Sequence, residues 1–283
     1  MNLGRDSVAW SQDVWARVDQ AVHDEIQRTG IASKLMPLSG PMPDAATVPA
    51  DVIDESTMTV SEDAVLPVVE LSVEFGLTPQ QVDTEATLST AETLATRAAN
   101  LLAQAEDLLI FQGDNAAASP IFGTVKTRGA AGKGLIGASS ETVEVEHSGN
   151  GGYGEQTVRA VARAYSLLQS KGQYGPYALV LRTEEYADTF EPLANTLVMP
   201  ADRIKPLMNQ GFYGTGTLPE VTGLLLSLGG ASMDVMVGVD PVTAFLQIDQ
   251  DGIHRFRVFE RFALRVKDPS AIVRLQFANG RLN

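Results

Sequence analysis

Three histidines, His23, His147 and His254, are the side chains best suited to bind a metal or move a proton near neutral pH. Their spacing serves neither task. No two stand four residues apart, and no carboxylate lies at the interval of a zinc site. They read as scattered surface or strand positions. Residues 129–134, Gly-Ala-Ala-Gly-Lys-Gly, look like a phosphate loop, but Thr127 stands where the first glycine belongs. Gly134 also follows Lys133 in place of the required hydroxyl. Gly214 and Gly216 lack the third glycine of a dinucleotide site and read as a turn. Asp249, Asp251 and Gly252 open like a calcium loop without its twelfth-position glutamate, so a hairpin turn is expected. Arg255, Arg257, Arg261, Arg265 and Lys267 form a basic row along one long strand. Phe256, Val258, Phe262, Leu264 and Val266 take the other face, and Phe259 with Glu260 interrupts the period, where a bulge fits. The row is expected to pair with surplus acids rather than to bind an anion. No nucleophile–base pair and no metal cluster emerges, so the chain is not read as an enzyme.

The elements that would position such residues are legible from their periods. Residues 11–35 read as a helix capped by Ser11, with Val14, Val18, Val22 and Ile26 on one stripe and Trp15 beside them. Residues 42–66 are rich in Pro, Ala, Asp, Ser and Thr, too poor in apolar side chains to form a core. They read as an extended acidic loop or hairpin, held by another chain or functional. A strand follows over 65–75, with Leu71, Val73 and Phe75 opposite Glu70, Ser72 and Glu74. Ser89 and Glu92 have capping-box spacing at the start of a long spine helix, which Gly113 ends. A second helix is expected over 155–171. A buried strand follows over 177–181, then a helix capped by Thr183, another over 202–208, and a Gly-rich loop over 211–216. The remaining segments read as strands: 223–228, 233–239, 242–248, 253–267 and 271–277. The fold class is α+β.

The 283 residues are 44% hydrophobic, ample for a packed interior. The formal net charge is −14. An acidic surface repels phosphate backbones, so nucleic acid is not an expected partner. Without cysteine there is no disulfide and no thiolate metal site. No apolar run approaches the ~20 residues of a membrane span, and the polar N-terminus lacks a signal-peptide core. A soluble cytoplasmic protein is the expectation.

Residues 175–181, Gly-Pro-Tyr-Ala-Leu-Val-Leu, followed by a helix at Glu184, resemble the encapsulin (linocin-type) family. Further pieces agree in order: Trp15 in an N-terminal helix, Gly40-Pro41 after it, and 66–71 opening the strand before the spine. The spine closes with 106–113, Glu-Asp-Leu-Leu-Ile-Phe-Gln-Gly. Residues 233–240, then 262–266 with 269–272, complete the set, which spans nearly the whole chain. The resemblance implies the Hong Kong 97-type phage capsid fold. It divides the chain into an arm and helix (1–41), an extended loop (42–66), a peripheral domain (67–153 and 249–283) and an axial domain (154–248). It also implies self-assembly of about sixty or more copies into an icosahedral shell. A phage or prophage major capsid protein is the alternative, disfavoured by the acidity.

The same resemblance implies a lumenal groove for the C-terminal targeting peptide of a cargo, such as a dye-decolourising peroxidase or ferritin-like protein. Matching positions are Ile26, Ile31 and Leu35 on the helix side, with Asp240, Thr243 and Phe245 on the strand side. Gly211, Phe212, Tyr213 and Gly214 match the loop lining a pore. Some members hold flavin at an aromatic after the strand that ends here at Phe75. The equivalent stretch, 78–81, has none, so no cofactor is expected.

Overall fold

The computed structural model describes residues 3–54, 56–62, 64–148, 152–192 and 197–278. Helix α1, Gln12–Thr29, starts where Ser11 Oγ accepts from the Val14 amide at 3.3 Å, and buries Val14, Trp15, Val18, Val22 and Ile26. The helix expected to reach residue 35 stops at Thr29. The amides of Ile31 and Ala32 turn to the Asp107 carboxylate instead, at 3.1 and 2.7 Å, and a short α2, Ala32–Leu35, begins there. Asp107, far along the chain, thus caps the N-terminus of α2. After β1, Leu38–Ser39, the extended segment forms a two-tier hairpin. Its strands are β2 (Thr47–Pro49), β3 (Val52–Asp54), β4 (Thr59–Ser61) and β5 (Val65–Pro67). Strand β2 pairs with β5 and β3 with β4, both antiparallel.

Strand β6, Val69–Leu77, follows, so the single strand expected from 65 divides at Val68 between arm and sheet. Helices α3 (Pro79–Asp83) and α4 (Glu85–Leu88) lead to the spine α5, Thr90–Gln112. Its expected cap is corrected. Ser89 lies in the left-handed region and its hydroxyl caps nothing. The buried Glu85 carboxylate accepts from the Ala91 and Glu92 amides at 2.6 and 3.1 Å, placing a negative charge at the helix's positive end. At the other end Gly113 has φ +63°, and a Cβ there would lie 2.2 Å from the Gly132 carbonyl oxygen. The glycines that look like a phosphate loop serve this backbone crossing.

The chain continues through β7 (Lys126–Arg128), α6 (Gly134–Ala138), β8 (Glu141–Val145), α7 (Glu155–Ser170) and β9 (Tyr177–Arg182). Then come α8 (Thr183–Asp188), α9 (Pro200–Ile204), β10 (Gly211–Thr215), β11 (Thr222–Ser227), β12 (Met233–Ile248), β13 (His254–Val266) and β14 (Ile272–Phe277). Thr183 is the first residue of α8 and makes no side-chain cap. The Gly-rich loop expected at 211–216 is a strand, paired in parallel with β9 from Gly211↔Ala178 to Thr215↔Arg182.

Two five-stranded sheets organise the molecule, in the orders β1-β12-β13-β6-β7 and β10-β9-β11-β14-β8. Helices α1 and α5 pack on the first around the larger core, which Trp15, Val22, Leu102, Phe111 and Phe256 help to fill. Helix α7 packs on the second around Tyr153, Leu168, Leu179 and Phe277. This corrects the expected domain boundaries. Strand β12 lies within 154–248 yet joins the spine's sheet, because it pairs antiparallel with β13. Strands β8 and β14 join the other sheet, since β14 pairs with β11 on one side and β8 on the other.

Strand β12 also runs through the gap expected at 240–241, and its register with β13 shifts at Val237/Val239, Val239/Val242 and Phe245/Gln247. The bulge expected at Phe259–Glu260 falls on the partner strand: opposite Glu260 the extra residue belongs to β12, between Val239 and Val242. Strand β13 pairs without a shift from His254↔Leu77 to Phe262↔Val69. Strict alternation therefore turns Glu260 inward, between Val258 and Phe262.

Candidate functional site

The seam between α1 and β12 is where the helix-side and strand-side residues were expected to flank a groove. The structure does bring these two elements together. It fills the seam with the chain's own N-terminal segment. The Phe245 amide donates to the Leu3 carbonyl at 2.9 Å. The Arg5 guanidinium donates to the Thr243 carbonyl and to Asp19, and stands 4.5 Å over the Trp15 ring. Asp19 in turn accepts from the Thr243 amide at 3.3 Å. Phe245 packs edge-on to Phe256, and Trp10 stacks on the same ring at 5.1 Å.

Four of the six expected groove residues, Ile26, Leu35, Thr243 and Phe245, are consequently buried within the subunit. They are core, which corrects their reading as contact residues: burial that satisfies the subunit leaves no surface for a peptide. Asp240 is exposed and Ile31 is half-buried. Nothing in the sequence marks residues 3–8 as seam filler except Arg5, whose charge needs a carboxylate nearby.

Ile31 opens onto a separate recess of about 410 Å³. Thr29, Gln104, Asp107 and Ile121 line it from one lobe, and Gly214 to Thr217 from the other. The two expected sites thus meet at one cavity, through Ile31 and Gly214. Gly211, Phe212, Tyr213 and Gly214 are all half-buried. Phe212 packs 4.9 Å from Tyr186, and a Cβ on Gly214 would lie 2.5 Å from that Tyr186 ring. Packed against Tyr186 at Phe212 and Gly214 and paired with β9, this segment has less freedom than a glycine loop.

The outer face of β13 bears out the pairing expected for the basic row. Arg257 meets Glu70 at 3.1 Å, and Arg255 meets Asp249 at 2.7 Å. Arg265 bridges Asp234 and Asp51, with Lys267 also on Asp234 at 2.9 Å. Arg261 donates to the Pro43 and Ala45 carbonyls at 2.6 and 2.7 Å. Arg261 and Arg265 therefore fasten the arm to the sheet. Burial pushes the Asp234 carboxyl up, but its hydrogen bonds from Arg265 and Lys267 outweigh this and leave it below the usual range.

The interior is the reverse. Burial pushes Asp107 up to about 7 even though the Ala32 and Ile31 amides favour its charged form. Burial and the neighbouring Asp107 push Glu106 up to about 8. Burial also raises Glu260, with Glu106, Asp107 and Asp240 adding to it.

The histidines stay apart, with His147 stacked on Tyr153 at 4.7 Å and His254 6.1 Å from Phe245. Among the described residues, no group of three His, Cys, Asp or Glu is placed to hold a metal. An apolar recess of about 370 Å³ runs under the arm base, between Ala50, Leu66, Ala131, Leu264 and Val266.

Comparison with known proteins decides the family. A family model described as an encapsulating protein for peroxidase, Linocin_M18, matches residues 1–263. The chain belongs to this family. It is a shell subunit of the encapsulin type. A type 1 encapsulin shell protein of Myxococcus xanthus, EncA, is 28% identical over 98% of this chain and 96% of its own length. Among solved structures, a virus-like particle from Pyrococcus furiosus covers 93% of this chain and 99% of its own, with TM-score 0.68 at 20% identity. The capsid of Myoviridae phage XM1 covers 88% and 91%, with TM-score 0.58 at 12% identity. The phage capsids are thus relatives in fold. Among the described residues, no helix of this encapsulin is long and apolar enough to cross a membrane.

Proposed function

We propose that this encapsulin subunit builds a closed cytoplasmic shell of about sixty or more copies, encloses an enzyme, and does no chemistry itself. The observation that carries assembly is the arm. Val52, Met58, Val60 and Val65 are each about half exposed or more, Met58 at 85%. Beta hairpins of this kind gain little alone, so their apolar faces and free edges are completed by a neighbouring copy. Folding of the arm is then coupled to assembly. Size-exclusion chromatography with electron microscopy tests this. Closed megadalton particles are expected, and a monodisperse monomer or dimer overturns it.

The cargo reading rests on the family description and on the expected groove in altered form. A peroxidase or ferritin-like cargo carries a C-terminal peptide that contacts the wall at Ile31 and Asp240, the members of the set not consumed by the core. Ile26, Leu35, Thr243 and Phe245 support the wall from behind. Ile31→Ser with Asp240→Lys should leave shells intact and lower co-purified cargo about tenfold or more, a loss of roughly 1.4 kcal/mol or above. Undiminished loading would place the contact elsewhere.

Gly211, Phe212, Tyr213 and Gly214 border an opening in the shell as an edge strand, and a charged residue at Tyr213 should alter small-molecule flux without altering particle size. No cofactor and no nucleic acid is part of this reading. The net charge of −14 opposes nucleic-acid binding. Residues 78–81 are spent on capping α3 through Thr78 and Gln81.

A further inference from the structure

Two carboxyl groups remain without a role in assembly or cargo capture. Glu106 of α5 and Glu260 of β13 are 7% and 4% exposed, deep between helix and sheet. Glu106 Oε2 and Glu260 Oε1 each lack a hydrogen-bond partner. Strand β13 turns Phe256, Val258 and Phe262 into the core that α5 shares, so Glu260 occupies an apolar position of the pattern. The charges acting on it are Glu106, Asp107 and Asp240, all negative.

Among the described residues, only acids act on the pair, and the cations of the surrounding elements are engaged elsewhere or exposed, as Arg97 of α5 is. On β6, Glu70 is paired with Arg257 and Glu74 with Lys126. On β12, Asp234 is held by Arg265 and Lys267, and Asp240 is exposed. On α1, Asp19 is engaged by Arg5 from the N-terminal segment, Arg17 engages Glu92 and Arg28 engages Glu25, while His23 and Asp24 are exposed. Lys34 of α2 acts on Asp107. Asp83 of α3 is exposed, Asp114 accepts from the Ala131 amide, and α6 has no charged residue, Lys133 standing just before it. Two buried anions between the same helix and sheet, each with an oxygen that no donor reaches, are costly, whereas the protonated carboxyls carry no charge to desolvate.

We propose that Glu106 and Glu260 are both held protonated between spine helix and sheet, and that loss of these protons is a built-in alkaline release of that contact. This lies in the interior of one subunit and does not depend on the cargo reading. The sign follows from linkage. Unfolded, each carboxyl titrates near its ordinary value of 4.5. Below that, both states are protonated and the pair costs nothing. As pH rises toward about 8, the unfolded chain releases protons that the folded pair still holds, so stability falls over this window. Beyond it the folded pair ionises too, and like charges press α5 and β13 apart.

The test uses the full-length assembled protein. The wild-type thermal midpoint should drop by about 5 °C or more between pH 6 and pH 9. Glu260→Gln and Glu106→Gln, neutral at every pH, should each lose less than half as much. Infrared difference spectra of the wild type should show a protonated-carboxyl carbonyl band at pH 6 that disappears by pH 9. Labelling glutamate with ¹³C should shift that band, which separates it from Asp107, and this reading needs no variant. A full pH-dependent drop in both glutamine variants overturns the proposal. So does the absence of a glutamate carboxylic-acid band in the wild type at pH 6.

Discussion

The two faces of β13 treat charge in opposite ways. The outer face sets Arg257, Arg261, Arg265 and Lys267 against Glu70, Asp234, Asp51 and the arm carbonyls of Pro43 and Ala45. The inner face puts Glu260 among Phe256, Val258 and Phe262, facing a spine helix that offers Glu106. One face joins distant segments through charge-assisted hydrogen bonds, and the other joins them through apolar packing with a single polar exception. Their pH responses are opposed as well. Asp234 has a lowered carboxyl, so its contribution is present above the usual carboxylate range and is lost as pH falls through the lowered value. The inner pair is lost as pH rises. A strand in this position ties the shell wall to the arm on one side and to the spine on the other.

Four substitutions break or sharpen this contrast. The largest effect is expected on the inner face from Phe256→Ala. Its ring is fully buried and in contact with Trp10, Phe75 and Phe245, so the cost is about 3–5 kcal/mol. Soluble particles should largely disappear, and urea unfolding of any recovered subunit should shift accordingly. A particle yield equal to wild type would mean that the aromatic cluster is not what holds α1 to the sheet.

On the outer face, Arg265→Ala leaves Asp234 with Lys267 alone and Asp51 with no cation, for about 3 kcal/mol. Limited proteolysis should then cut within residues 42–67 while the spine core stays protected. Wild type should show the same cutting only in strong acid, where Asp234 takes up a proton. If the arm stays protected in the variant, the β2–β5 pairing suffices to hold it.

Arg261→Ala removes two hydrogen bonds to arm carbonyls and is expected to cost about 1–2 kcal/mol. Here the thermal midpoint of the subunit should hardly move, while the concentration needed for assembly rises. The smallest effect belongs to Arg255→Ala. Its side chain is 44% exposed and its partner Asp249 sits in the β12–β13 turn, so hardly any shift of the thermal midpoint is expected. A large loss there would show that the hairpin tip is buried by a neighbouring copy.

Much of this was open to reading from the residues because it is periodic and local. The α1 stripe of Val14, Val18, Val22 and Ile26, the spine ended by Gly113, the buried β9 and the partnered basic row each follow from spacing of 3.6 or 2 within one segment. The uncommitted acidic segment was legible for a related reason: a stretch with too few apolar side chains cannot cover itself. The motifs that carry the family resemblance lie on these same elements.

Tertiary structure alone decided what depends on partners far along the chain. Asp107 caps α2 from the spine, and Glu85 takes the cap that Ser89 was spaced to provide. Strand β12 joins the first sheet and β14 the second because hydrogen bonding selects their neighbours, and no period within either strand encodes that choice. The seam between α1 and β12 is closed by residues 3–8, which turns four expected contact residues into core. Glu260 is the sharpest case. Strict alternation turns it inward, hydrophobicity argues it outward, and only the unshifted pairing with β6 resolves the conflict. A backbone ladder binds every residue of a strand at once, so its register outweighs the preference of one carboxyl that can take up a proton.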